Sequence, residues 1–450
     1  MAGIAGIVGT GRREDVERML HAIAHRGRAG HRVFETGGAA IGAVWPKCQP
    51  DSAPAEDGSA QDRDAGGRLA LARVEGTKLI LRRDWIGVAP LYYGWTQTGD
   101  LCFASEVKAM LKVAAKVHEL PPGCELRDGK VESYWALGEL KPVDGTPGPM
   151  AAELRQRLAE AVQLCIVGDR VGAWLSGGLD SSAMAALART NVRTLHTFAG
   201  GLADSPDIDH AREAAHFIGS EHHEVIVTFE QMLDVLPDVI FHLESFDALL
   251  VRSSIVNYLV GKAASDYVGE VFSGEGGDEL FAGYEYLRSV PRDRLHNELL
   301  DITGRLHNTA LQRVDRCACA HGLMAHVPFL DPRVFNCALR IPVEYKGING
   351  VEKWILRQAM AGALPERVLN RRKSKFWEGS GVGVSLADYA DQRVSDDDFA
   401  RERQLPNGWR LNSKEELMYY RIFKAHYGQL EDLSWIGRTK GAESHMGNVG

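Results

Sequence analysis

Cysteine is scarce in this chain and scattered where it occurs: Cys48, Cys102, Cys124, Cys165, Cys317, Cys319 and Cys337, seven in 450 residues. An odd number without regular spacing excludes a disulfide framework and zinc-site spacing. Cys317-Ala-Cys319 is the close pair, and buried thiols fit it better than a metal site. Long apolar runs are missing too. No stretch reaches the about 18 residues of a membrane span, and the opening MAGIAGIVGTGRREDVERML lacks the basic-then-apolar order of a secretion signal. A soluble, cytoplasmic protein without a membrane partner is expected. Basic charge is not in excess either: 52 Lys+Arg stand against 60 Asp+Glu, a formal net charge of −8. That balance offers nothing to nucleic acid, so a small-molecule substrate is the default.

Against this background VGAWLSGGLDSS, residues 171–182, stands out. An apolar run stops at Ser176-Gly177-Gly178, and Asp180-Ser181-Ser182 opens onto the helix-like AMAALA. Strand, turn and helix in that order suit a phosphate. Adjacent glycines bring backbone N–H groups close to it, serines donate hydroxyls, and the helix start adds partial positive charge. The loop has no lysine and no GxxxxGK[ST] pattern, which disfavours a site delivering a γ-phosphate and points to release of pyrophosphate. Asp180 beside phosphates needs a bridging divalent cation, which implies Mg²⁺. An ordinary βα turn of small residues is the bland alternative, and it explains SGG alone better than it explains all seven residues.

A second turn, EVFSGEGGDELFAGYEY at 270–286, places Ser273-Gly274 after an apolar strand and then gathers Glu275, Asp278 and Glu279 around two glycines. A solvated helix start could carry three acids. At the mouth of a strand, where α/β proteins bind ligands, Asp278 instead suits Mg²⁺-pyrophosphate and Glu275 suits proton removal from an amine. Downstream, NRRKSKFWEGSGVG, 370–383, concentrates Arg371, Arg372, Lys373 and Lys375. Basic runs are usually solvated surface, but a phosphoryl-transfer site needs a cation, and Lys373 is the candidate.

The chain length suffices for two or three domains. Short β-rich segments (GIAGIVG, AAIGAVW, RLALARV, KLILRRD, PLYYGW, LCFASE) fill residues 1 to about 140, with the polar stretch 48–67 read as a surface loop and 138–150 as a linker. Beyond it, AAELRQRLAEAVQLCI, VGAWL, RTLHTFAGGL and EAAHFIGSEHHEVIVTF alternate helix with strand and predict a doubly wound parallel sheet. After about residue 290 a helical portion is predicted. The expected division is residues 1–145, 150–435 and a fraying tail at 436–450.

SGGLDSS, TFAGGLADSPDIDHAREAAHFIGSEHHE, SGEGGDELFAGY, HVPFLDPR and RRKSKFWEGSGVG occur in an order and spacing that resemble asparagine synthetases of the B type. The resemblance runs from about residue 150 to 430. It implies an Ntn-hydrolase-like β-rich sandwich with glutaminase ancestry, followed by a PP-loop ATP pyrophosphatase domain that adenylates the aspartate β-carboxylate and forms an amide with ammonia. By the same resemblance Ser176, Gly177, Gly178, Asp180, Ser181 and Ser182 form the pyrophosphate loop. Ser273, Gly274 and Asp247 lie by the nucleotide, Glu275 is the catalytic glutamate, and Asp180 and Asp278 associate with Mg²⁺. Lys373 steadies adenylation, Arg252 meets the substrate carboxylate, and Asp331 matches unless it merely caps a helix. ATP and Mg²⁺ are the implied cofactors, and a homodimer is in keeping with related synthetases.

The pattern breaks in two places. Glutamine-hydrolysing relatives read MCGI where this chain reads MAGI, so Ala2 offers no nucleophile. HRG at 25–27 and RRDWIGVAPLYYG at 82–94 persist, but the asparagine-glycine segment that would supply oxyanion donors is missing. Ammonia, or a separate glutaminase partner, is then expected to supply nitrogen. Leu249-Leu250 also replace polar threonines between Asp247 and Arg252, which removes hydrogen-bond partners for a small amino acid, and Gly200 and Gly277 are expected to enlarge the pocket. A β-lactam-synthetase-like or peptide-cyclase-like enzyme acting on a larger acid is the alternative within this chemistry. A nucleotide-binding protein without turnover is the alternative outside it, and the joint presence of Asp180, Glu275, Asp278 and Lys373 argues against that.

Overall fold

GIAGIV mixes small and β-branched residues, and the strand they form lies inside one sheet of an antiparallel sandwich. The computed structural model describes residues 1–9, 11–36, 38–49, 59–76, 78–137, 142–203, 205–372 and 382–439, the side chains of 382–385 excepted. Its first half contains β1 (Gly3–Val8), β2 (Gly30–Thr36), β3 (Ala39–Trp45), β4 (Ser59–Arg63), β5 (Leu69–Glu75), β6 (Lys78–Arg83), β7 (Tyr92–Thr96), β8 (Leu101–Ala104), β9 (Ala114–Glu119), β10 (Cys124–Arg127) and β11 (Lys130–Ser133). They form two sheets, β2-β3-β1-β8-β7-β9 and β11-β10-β6-β5-β4. Ile4, Ile41, Leu81, Leu91, Phe103 and Leu126 fill the space between them. Helix α1 (Arg13–Ala22) buries Val16, Met19 and Leu20 against the outer face.

The second half carries a parallel sheet in the order β14-β13-β12-β15-β16, built from β12 (Arg170–Trp174), β13 (Thr194–Gly201), β14 (Glu221–Ile226), β15 (Glu270–Phe272) and β16 (Met324–His326). Period-two alternation sends successive side chains into two helix layers. Val171, Ala173 and Leu175 pack with α2 (Pro147–Cys165), α3 (Leu179–Arg189) and α4 (Pro206–Ile218). Trp174 and Phe198 pack with α5 (Phe229–Leu243) and α6 (Ala248–Ala264). The strand order reverses between β12 and β15, and the crevice outside their carboxyl ends is where such sheets bind ligands. Further on come α7 (Gly277–Leu280), α8 (Arg292–Gly304), α9 (Ala310–Cys319) and α10 (Pro332–Arg340). No described helix is long and apolar enough to cross a membrane.

Four sequence expectations change. Residues 59–63 of the expected loop form strand β4, because Asp62 is drawn inside by Arg68 at 2.5 Å; residues 50–58 lie outside the described residues. The expected linker ends early, since Pro147 starts α2 at the position that tolerates proline; residues 138–141 are not described. A fifth parallel strand, Met324–His326, interrupts the portion expected to be helical; three residues carry no readable period. The tail is anchored through Thr439, with Ile436 buried and Arg438 paired to Glu416; residues 440–450 are not described.

Buried charges join the halves. The Arg26 guanidinium reaches Glu106 at 2.7 Å and Asp315 on α9 at 2.8 and 3.0 Å. Arg68 meets the same Asp315 at 2.7 Å, and Arg316 reaches Glu244 at 3.0 Å. Against the desolvation of burial, Arg26 and Arg68 hold the Asp315 carboxyl far below its ordinary range. A smaller ion triplet lies nearby, where His326 contacts Asp64 of the sandwich at 3.3 Å and Glu270 at 2.9 Å. Burial opposes protonation of His326, but Cys165 and the two carboxylates raise its pKa well above 6.5.

Such a group contributes stability fully below the unfolded-state value near 6.5 and loses it as pH rises through the folded-state value. Urea-unfolding midpoints of the wild type are therefore expected to fall along that alkaline limb. His326→Asn, which leaves two carboxylates without their cation, is expected to lose about 3–5 kcal/mol near pH 6 and to lack the limb.

Candidate active site

The turn after β12 is held by its own side chains. Ser181 Oγ accepts from the Ser176 N–H at 3.2 Å and donates to the Gly178 carbonyl at 3.2 Å, while Ser176 Oγ lies 3.1 Å from Ser181 Oγ. Gly177 has φ +65°, and a Cβ there would lie 2.4 Å from the Ala211 backbone nitrogen, so the turn requires glycine. The second turn, after β15, presses on the first: a Cβ at Gly274 would lie 2.8 Å from the backbone of Asp180.

Between them opens a cavity of about 870 Å³. Ser176, Gly178, Asp180, Ser181, Ser273, Gly274, Glu275 and Asp278 all line it. These residues come from two segments about a hundred positions apart and share one wall because β12 and β15 are neighbours. Gly177 supports the turn from behind. Ser182 faces away, wholly buried, with a hydroxyl that makes no hydrogen bond among the described residues.

Asp247 and Arg252 are placed otherwise than the resemblance implies. Asp247 caps α6, accepting from the Leu250 N–H at 2.9 Å, and holds Thr439 through its N–H at 3.1 Å and hydroxyl at 2.9 Å. On α6 the cavity is lined by Leu249, Leu250, Ser253, Asn257 and Val260, at the three-to-four spacing of one helix face. Arg252 falls off that face. It pairs with Glu415 of the helix Lys414–Tyr427, Nε to Oε1 at 2.7 Å, and Tyr419 donates to the same carboxylate at 2.7 Å. Asp331 is a cap as well, accepting from the Arg333 N–H at 2.9 Å and pairing with its guanidinium. Lys373 lies outside the described residues. Its neighbours Arg371 and Arg372 line the cavity, and Arg371 donates to the Ser176 carbonyl at 2.9 Å and pairs with Asp207.

Two cations escaped the sequence reading. Lys353 Nζ lies 2.5 Å from Asp180 Oδ2 and 2.6 Å from Asp278 Oδ1, and Arg313 on α9 pairs with Glu275. Neither sits in a glycine-rich or basic segment; the only hint for Lys353 was a lone lysine in the apolar GVEKWIL. Glu279, inside the cluster, accepts from the Tyr284 hydroxyl at 2.5 Å. Burial, with repulsion from Asp278, pushes Glu279 up to about 7. The glycines do not enlarge the pocket. A Cβ at Gly200 would meet Val260 at 2.3 Å, and one at Gly277 would meet the Asp180 carboxylate at 2.6 Å, so that space is already filled. Gly283 is tightest, with a Cβ position 2.0 Å from Asp278 Oδ1 and 2.2 Å from Lys353 Cε.

Gly283→Ala is therefore expected to push Asp278 and Lys353 apart. An overpacking cost of about 1–3 kcal/mol corresponds to roughly a 5- to 150-fold loss of nucleotide affinity, measured by calorimetric titration, with the circular dichroism spectrum unchanged.

The comparisons agree with this geometry. Residues 153–302 and 290–447 match the asparagine synthase family, and residues 55–123 match a glutamine amidotransferase domain. The glutamine-hydrolyzing asparagine synthetase B of Escherichia coli (strain K12) is 34% identical over 389 residues, 80% of this chain and 70% of that protein. A probable glutamine-hydrolyzing asparagine synthetase of Dictyostelium discoideum is 32% identical over 409 residues, 81% of this chain and 72% of its own. Among solved structures, NMN synthetase from Francisella tularensis matches with a TM-score of 0.30 at 13% identity, over 64% of this chain and 98% of that one. With both turns facing one cavity and the family match spanning more than half of its length, the chain belongs to the asparagine synthase family and is a carbon–nitrogen ligase homologue.

Proposed function

We propose that this chain activates the β-carboxylate of aspartate with ATP and passes the acyl group to ammonia taken from solution or from a separate glutaminase. The observation that carries the reading is the convergence of the serine-glycine turn, the Asp180–Asp278 pair and Glu275 on one cavity. In the first step a carboxylate oxygen of the acid bonds to the α-phosphorus of ATP, and the bond to pyrophosphate breaks. The N–H groups and hydroxyls of the turn at Ser176–Ser181 receive the leaving pyrophosphate at the start of α3. In the second step ammonia bonds to the acyl carbon, AMP leaves, and the proton shed by nitrogen passes to Glu275, whose carboxylate Arg313 holds in orientation.

Asp180 and Asp278 fit a magnesium ion. Two carboxylates already converge on one cationic centre, the Lys353 ammonium, and Mg²⁺ typically takes one or two carboxylates with its remaining oxygens from phosphate and water. When bound it would neutralise phosphate charge beside Asp180. Among the described residues no three His, Cys, Asp or Glu side chains are arranged so that they could hold a metal ion by themselves. Lys373 is assigned the cation that steadies adenylation.

Ala2 supports the use of ammonia. It is wholly buried, its N–H donates to Gln49 Oε1 at 2.8 Å and its carbonyl accepts from Arg26 Nε at 2.9 Å, and a methyl group cannot attack glutamine. The apolar wall of Leu249 and Leu250 favours a second reading, in which the acid is larger than aspartate and its own amine closes the amide.

ATP–pyrophosphate exchange separates these readings. Exchange with aspartate supports the first, exchange only with bulkier acids supports the second, and none with any acid overturns both. Glu275→Ala is expected to lower amide formation about 10²-fold or more while leaving exchange within about threefold. Lys373→Ala is expected to suppress exchange with the fold intact by circular dichroism. Glutamine without added ammonium should yield no glutamate.

A further inference from the structure

Lys353 is held where it is by backbone as well as charge. It precedes the helix Trp354–Ala359 with φ +55°, a left-handed conformation that a lysine keeps only where its surroundings over-determine it. Its neighbour Glu352 is buried and tied to Arg288 at 3.0 Å and Arg357 at 2.8 Å. The Lys353 side chain is 3% exposed, and its ammonium bridges the two carboxylates that would hold a metal. Gly283 leaves the space its Cε passes through. An ammonium and a divalent cation cannot share two carboxylates at these distances without strong repulsion.

We infer that Lys353 gates metal entry: its ammonium occupies the place between Asp180 and Asp278 until a polyphosphate chain draws it off and admits the cation. The inference rests on the reading of this cavity as the ATP site. Metal and nucleotide then bind as a coupled pair rather than metal first, and by linkage each raises the affinity of the other by the same factor. A lysine serving only to stabilise the fold would hold the same two contacts, and its removal would not tighten metal binding in the absence of nucleotide.

Electron paramagnetic resonance of Mn²⁺, titrated into the full chain with and without α,β-methylene-ATP, tests it. Wild type without nucleotide is expected to bind Mn²⁺ at least about 10-fold more weakly than with it, a difference of about 1.4 kcal/mol. Lys353→Met should bind Mn²⁺ about 10-fold more tightly than wild type when nucleotide is absent and should lose the coupling. Lys353→Arg, which keeps a cation between the acids, should behave as wild type. Unchanged or weaker Mn²⁺ binding by a folded Lys353→Met overturns the gate. Should that variant fail to fold, Lys353→Gln takes its place with the same two readings, and tight binding of Mn²⁺ to wild type without nucleotide overturns the inference in either case. Failure of α,β-methylene-ATP to bind at all would sink the ATP-site reading instead, whereas tight nucleotide binding to a chain whose metal site is already open sinks only the gate.

Discussion

Four carboxylates crowd the mouths of two adjacent strands, and the rest of the site exists to make that crowding tolerable. Asp180 comes from the first turn of α3, and Glu275, Asp278 and Glu279 come from the turn after β15. Buried acids without partners would cost several kcal/mol each or shed their charge. The chain resolves the conflict unevenly. Lys353 pairs with Asp180 and Asp278, Arg313 with Glu275, and Glu279 receives a tyrosine hydroxyl and, among the described residues, no cation. Burial, and then repulsion from Asp278, raises its pKa. Because Gly277 and Gly283 lack side chains, the acids and the lysine can approach this closely at all.

The same need for counter-charges ties the site to the sandwich. Helix α9 sends Arg313 toward Glu275, and two and three residues later it sends Asp315 and Arg316 into the buried lattice with Arg26, Arg68 and Glu244. A rotation of α9 that improved one set would spoil the other. The sandwich therefore fixes the azimuth of a helix that lines the cavity, whether or not it turns over glutamine. This gives a physical reason to keep the first half in a chain whose second residue is alanine. Replacing such a lattice with apolar residues need not destabilise a protein, so its value here lies in orientation rather than in net stability.

Local structure was legible in the sequence and long-range pairing was not. SGGLDSS and SGEGGD could be read because strand, turn and helix start follow one another without a break, and the α/β rule then places both at one crevice. The alternating helices and strands from residue 150 to 230 were legible for the same reason. Lys353 and Arg313 were not: each is one charged residue in an unremarkable helix or hairpin, and its partner lies 173 or 38 positions away. Arg252 is the reverse case. The resemblance gave it a substrate, whereas helix phase turns it off the cavity face of α6 and toward Glu415. Residues 59–63 looked like loop because they are polar, yet Asp62 among them is wholly buried by arginines that composition could not assign to it.

On the proposed reading, catalysis and selectivity fall to different parts of the fold. The turns assigned to phosphate and metal follow the central strands β12 and β15, are held by close-packed glycines, and leave little latitude for change. Another part of the lining is one face of α6, where Leu249, Leu250 and Val260 stand beside Ser253 and Asn257. Exchange on such a face alters volume and polarity without disturbing the turns. Under the proposed function, leaving polar groups of a small charged acid unpaired against the leucine pair would cost about 1–3 kcal/mol apiece. Aspartate would then rely on the cations that line the cavity, Arg313, Arg371 and Arg372 among those described, whereas a longer acid could bring its own apolar surface to the leucines. On the proposed function, the choice between these acids then rests on one face of one helix, and not on the turns assigned to acyl-adenylate formation.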